Sequence, residues 1–212
     1  MTRPPPPESY PRWLLGAETL DAARALLGAR LIRLPDAPDG QRRAGRIVEV
    51  EAYFGPDDRA SHARMGPTPR NRVMFGPPGL AYVYLVYGMH HCLNVVTGAD
   101  GRPAAVLIRA LEPIEGVDAM RAARSRAAVA DLRLAAGPGC VGAAMGVDRS
   151  FTGLDLCDPG SRLHLALAPS DEPAPSIASG PRIGIAYAGE PWTSRPWRLA
   201  VADSPALSRR IA

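Results

Sequence analysis

Glu49 and Glu51 lie two residues apart in Arg46–Tyr53, a run that reads as a β-strand, where residues i and i+2 share a face. A carboxylate in such a strand can serve as a general base, ligate a metal or simply face solvent. Its neighbours bear on the choice. Tyr53 falls on the same strand face, His62 follows in a loop, and Arg109 ends a second apolar run, where an unpaired charge is costly. A carboxylate beside an arginine stays ionised, and such a pair can hold and polarise a water.

Other chemistries fit less well. His90 and His91 are adjacent, so in a strand they point to opposite faces and chelate one ion poorly, while His62 and His164 are isolated. No metal is expected. No Gly-x-Gly-x-x-Gly run and no phosphate-loop lysine is present, so no nucleotide cofactor is expected either. All 25 basic residues are arginine, which leaves no lysine to form a Schiff base. The three cysteines, Cys92, Cys140 and Cys157, are odd in number and widely spaced, against a complete disulfide framework. A net charge of +4 permits nucleic-acid binding without establishing it. Four tyrosines in a short span, Tyr53, Tyr82, Tyr84 and Tyr87, suit stacking of an unstacked base, although any one of them can equally be core.

These groups need elements to position them. Residues 1–12 read as a disordered Pro-rich tail, ahead of a single domain over residues 13–212. Thr19 is placed to cap a helix ending near Leu27, with Gly28 as its stop. Arg30–Leu34 reads as a strand and Asp36–Arg43 as a polar loop. Gly55–Pro78 is long, irregular and rich in Pro, Gly, Arg and Asp, which in a domain of this size points to function. Ala81–Tyr87 and His90–Val96 are β-rich runs around Gly88-Met89, predicting a hairpin with a two-residue type II′ turn. Tyr82 and Tyr84 then share a face, and Tyr87 sits at the edge of the tip. Ala104–Leu111 reads as a strand, Ile114–Ala128 as an Arg-laced helix, and Gly137-Pro138-Gly139 opens a short segment reaching Gly146. Arg182–Tyr187 and Trp197–Val201 read as short strands. The fold class is mixed α/β in one domain. No apolar run approaches membrane-spanning length and the start lacks a secretory signal, so a cytoplasmic protein is expected.

Gly45–Tyr53, Gly55-Pro56, His62, Thr68–Arg72 with Met74-Phe75, Tyr82–Met89 with Asn94, Arg109–Pro113, Gly137-Pro138 and Arg182–Ile185 follow one another in an order that resembles the alkyladenine (3-methyladenine) DNA glycosylase family. The resemblance runs from about Leu14 to Val201. It implies a curved antiparallel sheet with a protruding β-hairpin, similar to the formyltransferase C-terminal-domain-like fold. The implied activity is monofunctional excision of alkylated or deaminated purines from double-stranded DNA by an activated water, in a monomer without a cofactor. Glu51 matches the general base; Arg109 and the backbone carbonyl of Ile183 match groups that hold the water. Tyr53 and His62 match one wall of the base pocket and Tyr84 the opposing stack. Asn94 matches the residue that obstructs the exocyclic amine of guanine, and Tyr87, with Met89, the minor-groove wedge. Arg70 and Arg72 are candidate contacts to the DNA backbone. The missing lysine independently argues against a coupled lyase.

Cys140 stands where the family commonly has a basic residue, His90 where some relatives carry an aromatic, and the loop after Val96 is longer than in some. Two other classes compete: a catalytically silent damaged-DNA-binding protein on the same fold, and a metal-dependent hydrolase using His90, His91, Glu49 and Glu51. Retention of Glu51, Arg109 and Asn94 together argues against the first.

Overall fold

The computed structural model describes residues 9–36, 40–124 and 129–211. Among these residues eight strands form one curved, open antiparallel sheet: β1 (Arg30–Arg33), β2 (Arg43–Tyr53), β3 (Ala81–Val86), β4 (His90–Val96), β5 (Ala105–Glu115), β6 (Leu163–Ala166), β7 (Ile177–Gly180) and β8 (Arg198–Val201). The order is β3-β4-β5-β2-β1-β6. β2 is the hub. β5 runs along one edge, while the other edge is shared in succession by β1, against Arg43–Arg46, and β8, against Glu49–Glu51. β7 pairs with the outer edge of β8.

The β2–β5 register shifts between Ile47/Glu49 and Glu49/Val50. That bulge changes the phase of the strand. Ile47 and Val50, three residues apart, both enter the main core, which strict alternation forbids. Beyond it Val50 and Ala52 face the core, and Glu49, Glu51 and Tyr53 turn to the opposite face. Alternation holds over Ala81–Tyr84, Cys92–Val95 and Val106–Arg109: Ala81, Val83, Leu93, Val95, Val106 and Ile108 fill the core, while Tyr82, Tyr84, Cys92, Asn94, Leu107 and Arg109 line the other face.

Helices α1 (Arg12–Gly16), α2 (Thr19–Leu26), α3 (Val117–Ala123) and α4 (Pro138–Met145) pack with the sheet in the mixed α/β domain. In α2 the buried residues Thr19, Ala22, Ala23 and Leu26 recur at helical spacing. Thr19 lies within the first turn rather than capping it; the N-cap is Glu18, and no side chain caps there. Helix α4 opens on Pro138 and stops at left-handed Gly146. It lies directly on β4 because Gly142 has no side chain: a Cβ there would stand 2.1 Å from the His91 carbonyl oxygen.

Several expected elements are corrected. Ser9 bridges to Ala166 and Tyr10 is buried, so the expected tail joins the fold before residue 12; residues 1–8 lie outside the described ones. The helix expected from Ile114 starts later, because pairing with Gly45 and Ala44 holds β5 extended to Glu115. Gly116, at φ 69°, then turns the chain into α3, and residues 125–128 of the expected helix lie outside the described ones. Arg182–Tyr187 is no strand. Gly184 adopts φ 79° and a 3₁₀ turn, Ala186–Ala188, follows, while the pairing with β8 is made earlier by β7. The hairpin loop has three residues, Tyr87-Gly88-Met89, since Val86 pairs with His90. Tyr87 and Gly88 both take positive φ, 51° and 71°, the sense that matches the twist of the flanking strands.

Candidate active site

The polar face of the sheet opens into a cavity of about 520 Å³, within the usual range for a small-molecule pocket. Glu51 is at its floor, fully buried. Its Oε1 accepts the N–H of Ile183 at 2.7 Å and faces Arg109 Nη1 at 3.3 Å, while Oε2 accepts the Tyr53 hydroxyl at 2.9 Å. Burial raises the Glu51 pKa above the ordinary carboxylate value; Arg109, the Ile183 amide and Tyr53 oppose the rise, and Glu49 adds to it. The Tyr53 hydroxyl is itself pushed well up, by burial and then by the charge of Glu51, so it remains a donor.

Tyr82 and Tyr84 project from β3 and meet His62 from the long loop. His62 Nδ1 lies 2.9 Å from the Tyr82 hydroxyl, and its ring stands edge-on to Tyr84 at 4.5 Å. Although one side of His62 is open to the cavity, desolvation and then the charge of Arg70 lower its pKa to about 4. The imidazole is therefore neutral around pH 7, when it offers one donor and one acceptor. Asn94 is buried on β4 and donates to the Tyr82 carbonyl at 3.0 Å, which fixes its amide at the cavity wall.

The loop that carries His62 is stapled rather than loose. Asn71 donates from Nδ2 to the carbonyls of His62 and Gly66 at 2.8 and 3.1 Å, and its Oδ1 accepts from the Thr68 amide. Asp58 accepts from the amides of Phe54 and Ala60 and forms a fully buried ion pair with Arg182 at 2.5 Å. Arg182 lies over the rings of Tyr53 and Trp197, at 4.6 and 4.8 Å, and donates to the Ala52 carbonyl. Thus the residue before Ile183 is locked against β2, and the Ile183 N–H is aimed at Glu51.

Glu51, Arg109, Tyr53, His62, Tyr84, Asn94, Ile183, Arg70 and Tyr87 all line this one cavity. Ile183 meets Glu51 through its N–H, a contact separate from the water-holding role that the family resemblance implies for its carbonyl. Tyr87 is 89% exposed at the rim. Met89, 71% exposed, and Arg72 stand outside the lining. Arg70 sits over the Tyr84 ring at 5.3 Å. Reading the residues singly missed Tyr187, whose exposed ring lines the cavity and whose hydroxyl donates to the Ala60 carbonyl at 3.2 Å. It also missed the staples Asn71 and Asp58, for which a signal existed: Asn and Asp in a Gly- and Pro-rich loop commonly bond nearby backbone. His90 packs against Gly139, and Glu49 and Glu51 are engaged by arginines. Among the described residues no group of three or more His, Cys, Asp or Glu is placed to hold a metal ion.

Residues 14–205 match the methylpurine-DNA glycosylase family. The chain belongs to that family. It is 50% identical over 200 residues to a protein of Anaeromyxobacter dehalogenans, covering 94% of this chain and 86% of that one. It is also 50% identical over 201 residues to a protein of Methanocella arvoryzae, covering 94% of this chain and 96% of the other. A Myxococcus xanthus protein is 47% identical over 203 residues, 96% of this chain and 93% of its own. Each of the three is named as a candidate 3-methyladenine DNA glycosylase. Membership makes the chain a DNA glycosylase, a hydrolase of DNA repair whose substrate is DNA. No helix among the described residues is long and apolar enough to cross a membrane.

Proposed function

We propose that this glycosylase is monofunctional: it flips an alkylated or deaminated purine out of double-stranded DNA and hydrolyses its N-glycosidic bond with a water activated by Glu51. The substrate class is 3-methyladenine, 7-methylguanine, hypoxanthine and ethenoadenine. The observation that carries this reading is a fully buried carboxylate, held by Arg109, Tyr53 and the Ile183 N–H, at the floor of an aromatic cavity that opens beside an exposed tyrosine.

Glu51 takes a proton from water as the oxygen bonds to the sugar C1′. The C1′–N bond breaks and its electron pair leaves with the base, yielding an abasic site. A base with raised proton affinity suits that step, and burial of Glu51 supplies it. Tyr84 and Tyr53 offer faces for stacking, which favours electron-poor alkylated rings through cation–π attraction. Asn94, fixed on the Tyr82 carbonyl, is set to clash with the exocyclic amine of normal guanine. Tyr87 fills the gap left by the flipped nucleotide, and Met89 and Arg72 contact DNA outside the pocket.

Base release from duplex oligonucleotides carrying single defined lesions, with EDTA present, tests the reading. Free base and a strand cut only after alkali are expected. Tight lesion binding without release from any of them would instead establish a silent damage-binding protein.

A further inference from the structure

Behind the cavity lies a second carboxylate to which the proposed mechanism gives no part. Glu49 is fully buried, and both its oxygens are occupied. Oε1 accepts from Arg109 Nε at 3.0 Å, Arg198 Nη1 at 3.1 Å and the Ser208 hydroxyl at 2.8 Å; Oε2 accepts the Ser208 amide at 2.6 Å. The Ser208 hydroxyl also accepts from Arg109 Nη2 at 3.2 Å. Two corners of the Arg109 fork are thus held from behind, by Glu49 and Ser208. The third, Nη1, faces Glu51. A planar guanidinium with its other donors taken has little freedom to rotate.

We infer that Glu49 and Ser208 form a positioning clamp, closed by the C-terminal segment, that aims Arg109 at Glu51 and keeps part of its charge from that carboxylate. The segment is well anchored. Ala206 and Leu207 pack with Val48, Ala110 and Ala200, and Arg133 donates to the Leu207 carbonyl at 2.7 Å. Arg198 donates to the carbonyls of Arg209 and Arg210 on one side and of Pro181 on the other. Pro181 is two residues from Ile183, so the same arginine braces the loop whose N–H reaches Glu51. A buried ion network of this kind is weak evidence for stability, since desolvation offsets its attraction. Its defined geometry around a reacting carboxylate fits orientation instead. Arg109 sits between two carboxylates, and without Glu49 its whole charge acts on Glu51. Besides Arg109 and Glu49, the hydroxyls of Tyr53, Tyr84 and Tyr187 and the Cys92 thiol interact with Glu51, and burial pushes all four up. None of these ionises in the acidic range, whereas His62, lining the same cavity, does so at about 4. His62 is common to wild type and Glu49→Gln, so a difference between their acid limbs reports Glu51 under the influence of Arg109 and Glu49.

This inference rests on Glu51 acting as the base. The test is single-turnover excision against pH, with damaged-DNA affinity measured alongside, for wild type, Glu51→Gln, Glu49→Gln and Ser208→Ala. Glu49→Gln is expected to excise ~10–100-fold more slowly with affinity within about 3-fold of wild type, the pattern of a lost orientation. Its acid limb is expected to move to lower pH. Ser208→Ala, which keeps the backbone bond to Glu49, is expected to lose several-fold in rate with unchanged affinity. If Glu49→Gln does not fold, Ser208→Ala decides: unaltered excision overturns the clamp. In a folded Glu49→Gln, a wild-type rate overturns it too, as does a rate loss matched by weakened binding with the acid limb unmoved. Release by wild type and by Glu51→Gln at equal rates would instead overturn the base assignment itself, whatever Glu49 does.

Discussion

The backbone N–H of Ile183 donates to Glu51 Oε1 at 2.7 Å, joining residues 132 positions apart. That bond, the Tyr53 hydroxyl on Oε2 and Arg109 together set the carboxylate in place. A glutamine at position 51 can still accept the Ile183 N–H but cannot take a proton from water. Glu51→Gln is therefore expected to bind damaged DNA like wild type while excising ~10²–10⁴-fold more slowly, the usual loss for a general base. Parallel gel-shift and base-release measurements check this, and near-wild-type turnover would remove Glu51 from the role.

Arg182 and Asp58 are both fully buried, and the guanidinium is further enclosed by Tyr53 and Trp197. Removing one partner strands the other charge. Asp58→Ala is expected to cost about 3–5 kcal/mol in unfolding free energy, as for other broken buried pairs. Urea denaturation measures it; a loss below about 1 kcal/mol, the scale of a surface pair, would mean that water reaches the site.

Tyr87 holds a left-handed backbone at the exposed tip of the hairpin, a conformation that costs a non-glycine residue roughly 1–2 kcal/mol. A stacked or buried ring would offset that strain, yet the side chain is 89% exposed. Nothing in that placement helps folding, which accords with the proposed wedge role. Tyr87→Gly should leave thermal stability equal or higher while slowing excision from duplex DNA more than from a bulged lesion. Destabilisation, or equal losses on both substrates, would speak against the wedge.

Asn71 makes its bonds to the backbone of the loop that carries His62, including the His62 carbonyl. Asn71→Ala removes those bonds from a half-buried site, at about 1 kcal/mol each. Limited trypsin digestion, which reads the arginines of this loop, should find cleavage at Arg64 and Arg70 accelerated. Unchanged digestion would show that the loop is held by other contacts.

Glu51 and His62, both in the pocket, are shifted in opposite directions. In the proposed mechanism Glu51 works as the carboxylate, and burial raises its pKa above 4.5. Excision should therefore rise with pH through a midpoint above that value. His62 is shifted down, to about 4, so it should already be neutral where excision is fastest. Imidazole NMR titration of the free protein would show this, and a midpoint near 6.5 would place His62 in ordinary solvent.

Much of the site was legible because strand alternation is local. Tyr82 and Tyr84 fall on one face by parity alone, as do Leu107 and Arg109, and the pocket uses those faces. The hairpin was legible from its β-rich arms, but its turn type was not: Val86 pairs with His90, which adds Tyr87 to the loop. The long Gly55–Pro78 loop announced itself by composition, without revealing which of its polar residues bind backbone. The strand expected at Arg182–Tyr187 failed for a different reason. Arg182 is captured by Asp58, 124 residues away, and an apolar alternation gives no warning of a partner so distant.

The sequence by itself determined the residue types available for chemistry, the faces they share within each strand, the absence of a lysine nucleophile and the family. Only the tertiary structure decided that a bulge turns Glu49 and Glu51 together toward Arg109, that Ile183 offers its N–H, and that Ser208 closes the clamp 159 residues from Glu49. Every residue but proline carries both an N–H and a C=O, so which of them is used has no residue signature. Burial, which raises the proton affinity of Glu51, belongs to the packed chain as a whole.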